Sequence, residues 1–142
     1  MGTLLDLVHT HHRGLETGDL DLSATVFAED VVTQMPFGIL HGLAEFRALG
    51  EAFVTAVPDM KLTITKAVEL GDTVIIEGIY SGTQTGPLQT PGGEIPPTGR
   101  AFSFPYVDVY VARDGKFVEH RGYWDNVTFM TQLGLMPEPA TT

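Results

Sequence analysis

The sequence predicts a single α+β domain in which a curved antiparallel sheet wraps around N-terminal helices and encloses a cone-shaped apolar pocket. Three observations carry that expectation. Apolar residues recur at helical spacing over the first quarter of the chain, strict alternation replaces that spacing after about residue 60, and one short helical pattern returns at the end. The length of 142 residues suits one domain, taken as residues 1–136, with 137–142 as a C-terminal tail.

The elements follow in order. Leu4, Leu5, Val8, His12 and Leu15 form one stripe, so a first amphipathic helix is expected over 3–16, ended by Gly18-Asp19. His9, His11 and His12 lie on it, but spacings of two and one do not place all three on one face. They are expected to be mostly solvated or half-buried, with no metal bound. Asp21-Leu22-Ser23 opens a second helix that includes Val26 and Phe27. The β-branched run from Asp30 to Met35 reads as a strand stopped by Pro36 and Gly38.

His41-Gly42 precedes a third helix over 43–56, with Phe46, Leu49, Phe53 and Val54 on its apolar side. Leu62 and Ile64 mark the next strand, Gly71-Asp72 a tight turn, and Thr73 to Thr83 a further strand. The Pro/Gly-rich stretch 86–99 is long enough to act as a flap. A strand over 100–112, a turn at Arg113-Asp114-Gly115, a polar-aromatic strand over 116–125 and a helix over 126–133 complete the domain.

Eight basic residues against eighteen acidic ones give a formal net charge of −10, which leaves no cationic footprint for nucleic acid or anionic membrane. With no cysteine there is no disulfide framework and no thiol chemistry. No apolar run is long enough to span a bilayer, and the N-terminus lacks the basic start of a secretory signal, so a cytoplasmic location is expected. The partner these features favour is an apolar, weakly polar small molecule. The outward sheet face, rich in valine and isoleucine, calls for cover by a second copy, as a homodimer or homotetramer.

Two aspartates are the candidates for chemistry. On the strand 100–112, Phe102, Phe104, Tyr106, Asp108 and Tyr110 share a face, so Asp108 stands either among aromatics in a pocket or at a sheet edge. A desolvated carboxyl there is held protonated and donates a hydrogen bond. Asp125 ends the next strand. It reads either as a general acid/base in an aromatic pocket or as the N-cap of the helix that follows. Strict alternation puts Asp125 with Tyr123, Arg121 and Glu119, and His120 with Trp124 on the other face; a bulge reverses part of that order. His120, His41 and Met35 are further candidates for the pocket wall. No nucleotide-binding glycine pattern, metal-ligand spacing or nucleophile elbow is present.

Phe27-Ala28-Glu29-Asp30, Gly82-Thr83-Gln84-Thr85-Gly86, Pro97-Thr98-Gly99-Arg100, Asp114-Gly115-Lys116, and His120 through Asp125 with Gln132-Leu133-Gly134 stand in order over most of the chain. Together they resemble the SnoaL-like polyketide cyclase (ester cyclase) branch of the NTF2-like superfamily. That resemblance implies a homo-oligomeric α+β cone that closes rings by intramolecular aldol chemistry with no metal and no cofactor. It places the family's acid/base aspartate on Asp125 and substitutes Asp108 for the family's pocket histidine. Asp108 also resembles the oxyanion-stabilising aspartate of the related ketosteroid isomerases. Their base falls on Met35 and their tyrosine near His11, which disfavours isomerisation of steroids. The missing Arg-x-Asp disfavours epoxide hydrolysis.

The function expected is therefore a cofactor-independent cyclase or isomerase acting on an apolar carbonyl compound. Asp125 and Asp108 are its catalytic residues, and Phe104, Tyr106, His120, Tyr123, Trp124, His41 and Met35 shape the pocket. The rival is a non-catalytic binding or dimerisation module.

Overall fold

The computed structural model describes residues 3–90 and 92–137. Three helices cover the concave face of a six-stranded sheet, and a fourth helix closes one end. Helix α1, Leu4–Thr17, begins in a capping box: the Thr3 hydroxyl accepts from the Asp6 amide while the Asp6 carboxylate accepts from the Thr3 amide. It ends at Gly18, whose left-handed φ of 75° closes the C-cap. Asp19 caps the short α2, Leu20–Ala24.

The expected second helix thus stops before Val26 and Phe27. Phe27 instead starts β1, Phe27–Met35, where it pairs with Phe117 and is buried. Tertiary pairing overrides local pattern there. A further strand that the sequence reading did not anticipate, β2 over Gly38–His41, turns back on β1 ahead of α3, Leu43–Ala56.

Strands β3 (Lys61–Leu70) and β4 (Thr73–Thr83) form a hairpin. The loop after β4 contains a small one of its own, β5 (Leu88–Thr90) with β6 (Gly93–Ile95). β7 (Ala101–Arg113) and β8 (Lys116–Trp124) follow, then α4 (Asn126–Gln132). The sheet order is β2-β1-β8-β7-β4-β3. All its neighbours are antiparallel except β1 and β8, which run parallel, so the sheet is mixed rather than wholly antiparallel. That pair joins strands some ninety residues apart, and nothing local in either marks the direction.

The β5–β6 loop is anchored at its base by Gln84, a buried glutamine. Its amide donates to the carbonyls of Gly86 and Pro96, and its carbonyl accepts from the Thr98 hydroxyl. The core lies between the sheet and α1–α3 in two adjoining clusters, one around Val8, Phe27, Val31 and Tyr110, the other around Met60, Phe102, Phe104 and Phe129. The loose tail expected at 137–142 lies, apart from Pro137, outside the described residues.

Candidate active site

Between the clusters the concave face does not close. A cavity with about 920 Å³ of empty space, the solvent at its mouth included, is lined by α1, α2, α3, the inner faces of β1, β3, β4, β7 and β8, and Phe129 of α4. Most of the wall is apolar. The polar exceptions include His11 and His12 on α1, Ser23 on α2, Arg47 on α3, Tyr80 on β4, Tyr106 and Asp108 on β7, and His120 on β8.

Strand β7 keeps the predicted alternation, so Phe102, Phe104, Tyr106, Asp108 and Tyr110 all point inward. Two glycines opposite make room for the polar members. Gly78 pairs with Tyr106, and a Cβ at 78 stands 2.7 Å from the Tyr106 ring. Gly122 pairs with Asp108, and a Cβ there stands 2.7 Å from Met35 Sδ and 3.1 Å from Asp108 Oδ1. Any larger residue at 122 presses on the carboxylate.

Asp108 is 9% exposed. Its Oδ2 accepts from the Tyr110 hydroxyl at 3.0 Å, and its Oδ1 lies 3.5 Å from His120 Nε2 without hydrogen-bond geometry. The His120 ring is stacked on Tyr110, centroids 4.4 Å apart and nearly parallel. Within the protein, His12 Nδ1, Tyr106 Oη and both His120 nitrogens find no hydrogen-bond partner among the described residues. Buried polar atoms without partners are costly, on the order of 1–3 kcal/mol each. Several of them around one cavity mark a place built for something else to bind.

Burial sets the protonation of these groups. It lowers His12 from its usual value to about 4, partly opposed by the Asp108 charge. His11 is lowered well below its usual value by burial, with His12 and His120 adding to it. Tyr106 and Tyr110 are both raised, by burial first and by Asp108 second. At neutral pH His11 and His12 are therefore neutral imidazoles, and Tyr106 and Tyr110 intact phenols, around the Asp108 side chain.

The site residues expected from sequence divide sharply. Asp108, His120, Tyr106, Phe104, Trp124 and Met35 all line the cavity. Asp125 does not. It is exposed and caps α4, its Oδ1 accepting from the Val127 and Thr128 amides at 3.0 and 3.2 Å and its Oδ2 from the Thr128 hydroxyl at 2.9 Å. The Thr128 hydroxyl and amide, with the Val127 amide, hold its carboxyl below the usual range, as befits a cap rather than a proton shuttle.

Tyr123 is also corrected: it faces outward and is 46% exposed, because alternation leaves His120, Gly122 and Trp124 on the inner face. The bulge that sequence left open falls earlier. Val111 pairs with Glu119 and Ala112 with Phe117, so Val118 is the extra residue. His41 ends the edge strand β2, exposed and away from the cavity.

His11 and His12 are corrected the other way: both are buried. The signal was present, since His12 stands four residues after Val8 and His11 four after Leu7 on the stripe that faces the sheet. His11 Nδ1 is 2.7 Å from Ser23 Oγ, a contact that exists because Gly14 lets α2 approach α1; a Cβ at 14 falls 2.7 Å from Ser23 Cβ. No three His, Cys, Asp or Glu among the described residues are grouped to hold a metal ion. No described helix is long and apolar enough to cross a membrane.

A helical cap over a curved mixed sheet, with a polar cluster deep in an apolar cavity, is the NTF2-like, ketosteroid isomerase-like fold. The chain belongs to the SnoaL-like polyketide cyclase family, whose model matches residues 5–133. IdmH from Streptomyces antibioticus, a candidate polyketide cyclase, is 27% identical with a TM-score of 0.78, over 94% of this chain and 99% of that one. TsrD from Streptomyces laurentii is 26% identical with a TM-score of 0.81, over 94% and 96%. A candidate SnoaL-like polyketide cyclase from Jannaschia sp. CCS1 shares the fold at 20% identity and a TM-score of 0.81, over 94% and 92%. No curated protein matches the chain.

Proposed function

We propose that the protein is an acid/base enzyme that removes a proton next to a carbonyl group and directs the resulting enolate in a ring-closing, aldol-type step on a polyketide-like substrate. The observation that carries this reading is Asp108. It is the one carboxylate lining the cavity among the described residues, it is fixed by Tyr110, and His12 and Tyr106 beside it are neutral.

An aldol closure needs an acceptor for the α-proton, donors for the enolate oxygen, and a fitted volume that brings the two reacting ends together. Asp108 takes the proton. Tyr106 Oη and His12 Nδ1, neutral and without partners among the described residues, donate to the enolate oxygen. The enolate carbon attacks the second carbonyl of the same molecule, and the alkoxide recovers the proton from Asp108. Electrons and atoms balance within the substrate, so no external oxidant or reductant takes part. His120, stacked on Tyr110, steadies the carboxylate, while Phe104, Trp124, Met35 and Phe129 hold the apolar body.

Two roles thereby move from the expectations drawn from the family resemblance. Asp108 acts as acceptor instead of protonated donor, with its Oδ2 held by the Tyr110 hydroxyl. The proton shuttle passes from Asp125, outside the cavity, to Asp108 inside it.

The test needs no knowledge of the natural substrate. Incubated in D₂O with an aryl methyl ketone such as 4-acetylbiphenyl, the protein is expected to speed deuterium uptake into the methyl group above the buffer rate, read by NMR. Uptake at the buffer rate, with the ketone shown to be bound, contradicts the proposal.

A further inference from the structure

The cavity has a second charged group, and the proton chemistry makes no use of it. Arg47 is the one Lys or Arg lining the cavity among the described residues, and it is far more exposed than Asp108. Its side chain is 43% exposed, and its guanidinium reaches from α3 to α2 to meet Asp21 at 2.5 Å. Leu20 and Ala24 of α2 and Leu43 and Gly50 of α3 line the same stretch of wall. The ion pair therefore ties together the two helices that flank the cavity on that side, with the guanidinium at the mouth.

Asp21 is a weak holder. Its side chain is 85% exposed, and pairs between exposed charges contribute little because water and salt screen them. Arginine presents a planar fork of donors suited to a carboxylate, so an incoming acid group can replace Asp21 without leaving a charge buried and unpaired.

The two charges also give the cavity a direction. An acid group is repelled from the deep end by Asp108 and attracted to the mouth by Arg47. A molecule with a carbonyl at one end and an acid at the other is thus admitted carbonyl first.

We infer that Arg47 is a specificity residue that recognises an acidic group, a carboxylate or an ionised enol or phenol, on the trailing end of the substrate, exchanging Asp21 for it. The inference rests on the proposed carbonyl chemistry and narrows its substrates to those carrying an acid remote from the reacting carbonyl.

The test uses the full chain and two probes of nearly equal shape, 4'-acetylbiphenyl-4-carboxylate and its methyl ester. Trp124 is the only tryptophan and lines the cavity, so quenching of its fluorescence reports occupancy. The wild type is expected to bind the carboxylate about tenfold more tightly than the ester at low salt, the worth of one charge-assisted pair at a half-exposed site. Arg47→Gln removes that preference, bringing the carboxylate-to-ester ratio to about one. Arg47→Lys keeps part of it. Asp21→Asn increases it, because the competing carboxylate is gone.

Both positions are solvent-exposed, and an unchanged melting temperature certifies the fold. An unaltered carboxylate-to-ester ratio in Arg47→Gln, or a wild type that prefers the ester, overturns the inference and leaves the Asp108 chemistry standing. Binding of neither probe overturns both.

Discussion

His12 gives the account a prediction that depends on burial alone. Its imidazole is lowered to about 4 by desolvation, against 6.5 for the free side chain. The folded protein therefore binds fewer protons than the unfolded chain between those two values, so stability rises with pH across that window and is lost as pH falls through it. The full span corresponds to on the order of 3 kcal/mol, and about 2 kcal/mol of it is gone by pH 5. His11 shifts in the same direction and adds to the loss. Asp125, lowered from 3.8, keeps its contribution above that value and loses it only as pH falls below, so it does not overlap the histidine window.

Urea denaturation at pH 7.5 and pH 5.0, on wild type and His12→Gln, measures the effect. The wild type is expected to lose stability between the two conditions. In His12→Gln the loss shrinks by about 2 kcal/mol, since glutamine fills similar space and does not titrate. An equal loss in both proteins refutes the burial of a neutral His12, and with it the use of that ring as a donor in the cavity.

Gly122→Ala places a methyl 2.7 Å from Met35 Sδ and 3.1 Å from Asp108 Oδ1. It is expected to slow deuterium exchange at least tenfold by displacing the carboxylate, with a destabilisation of about 1–3 kcal/mol by urea titration. Asp125→Asn is expected to leave melting temperature unchanged, because asparagine caps as aspartate does, whereas Asp125→Ala lowers it. The outer sheet face exposes Val32, Val68, Ile75 and Tyr123, and we propose that a second copy of the chain covers it. Light scattering at micromolar concentration is expected to give at least twice the protomer mass of 15.4 kDa; a clean monomer counts against this.

Much of the fold was legible in the sequence because its signals are local. Phe102 to Tyr110 alternate without interruption, the pattern over 43–56 matches α3 to the residue, and Asp114-Gly115 turns where such a pair turns. Most of what escaped was non-local. The parallel union of β1 and β8 and the early start of β1 at Phe27 are settled by partners far along the chain, whereas β2 is a local hairpin onto β1 that Pro36 and Gly38, read as a stop, concealed.

The site shows the same division. Alternation along β8 had already separated His120 and Trp124 from Tyr123 and Asp125, and the structure keeps that separation. The family resemblance nevertheless drew both faces into one expected site, although only the first borders the cavity. Asp125 stands where a strand ends and a helix begins, so it satisfies the pattern of a cap and the pattern of a motif equally. Only burial distinguishes them. His11 and His12 were hidden by their chemistry, since histidine on a helix is commonly half solvated. Their place on the buried stripe was the clue that outweighed it.

The central claim is that Asp108, and not Asp125, moves the proton. Deuterium uptake into 4-acetylbiphenyl, measured side by side for wild type, Asp108→Asn and Asp125→Asn, tests it most directly. The account predicts a wild-type rate in Asp125→Asn and a fall of ~10²-fold or more in Asp108→Asn, where the amide keeps the Tyr110 contact but cannot accept the proton. Wild-type exchange in Asp108→Asn, or loss of exchange in Asp125→Asn at an unchanged melting temperature, contradicts it.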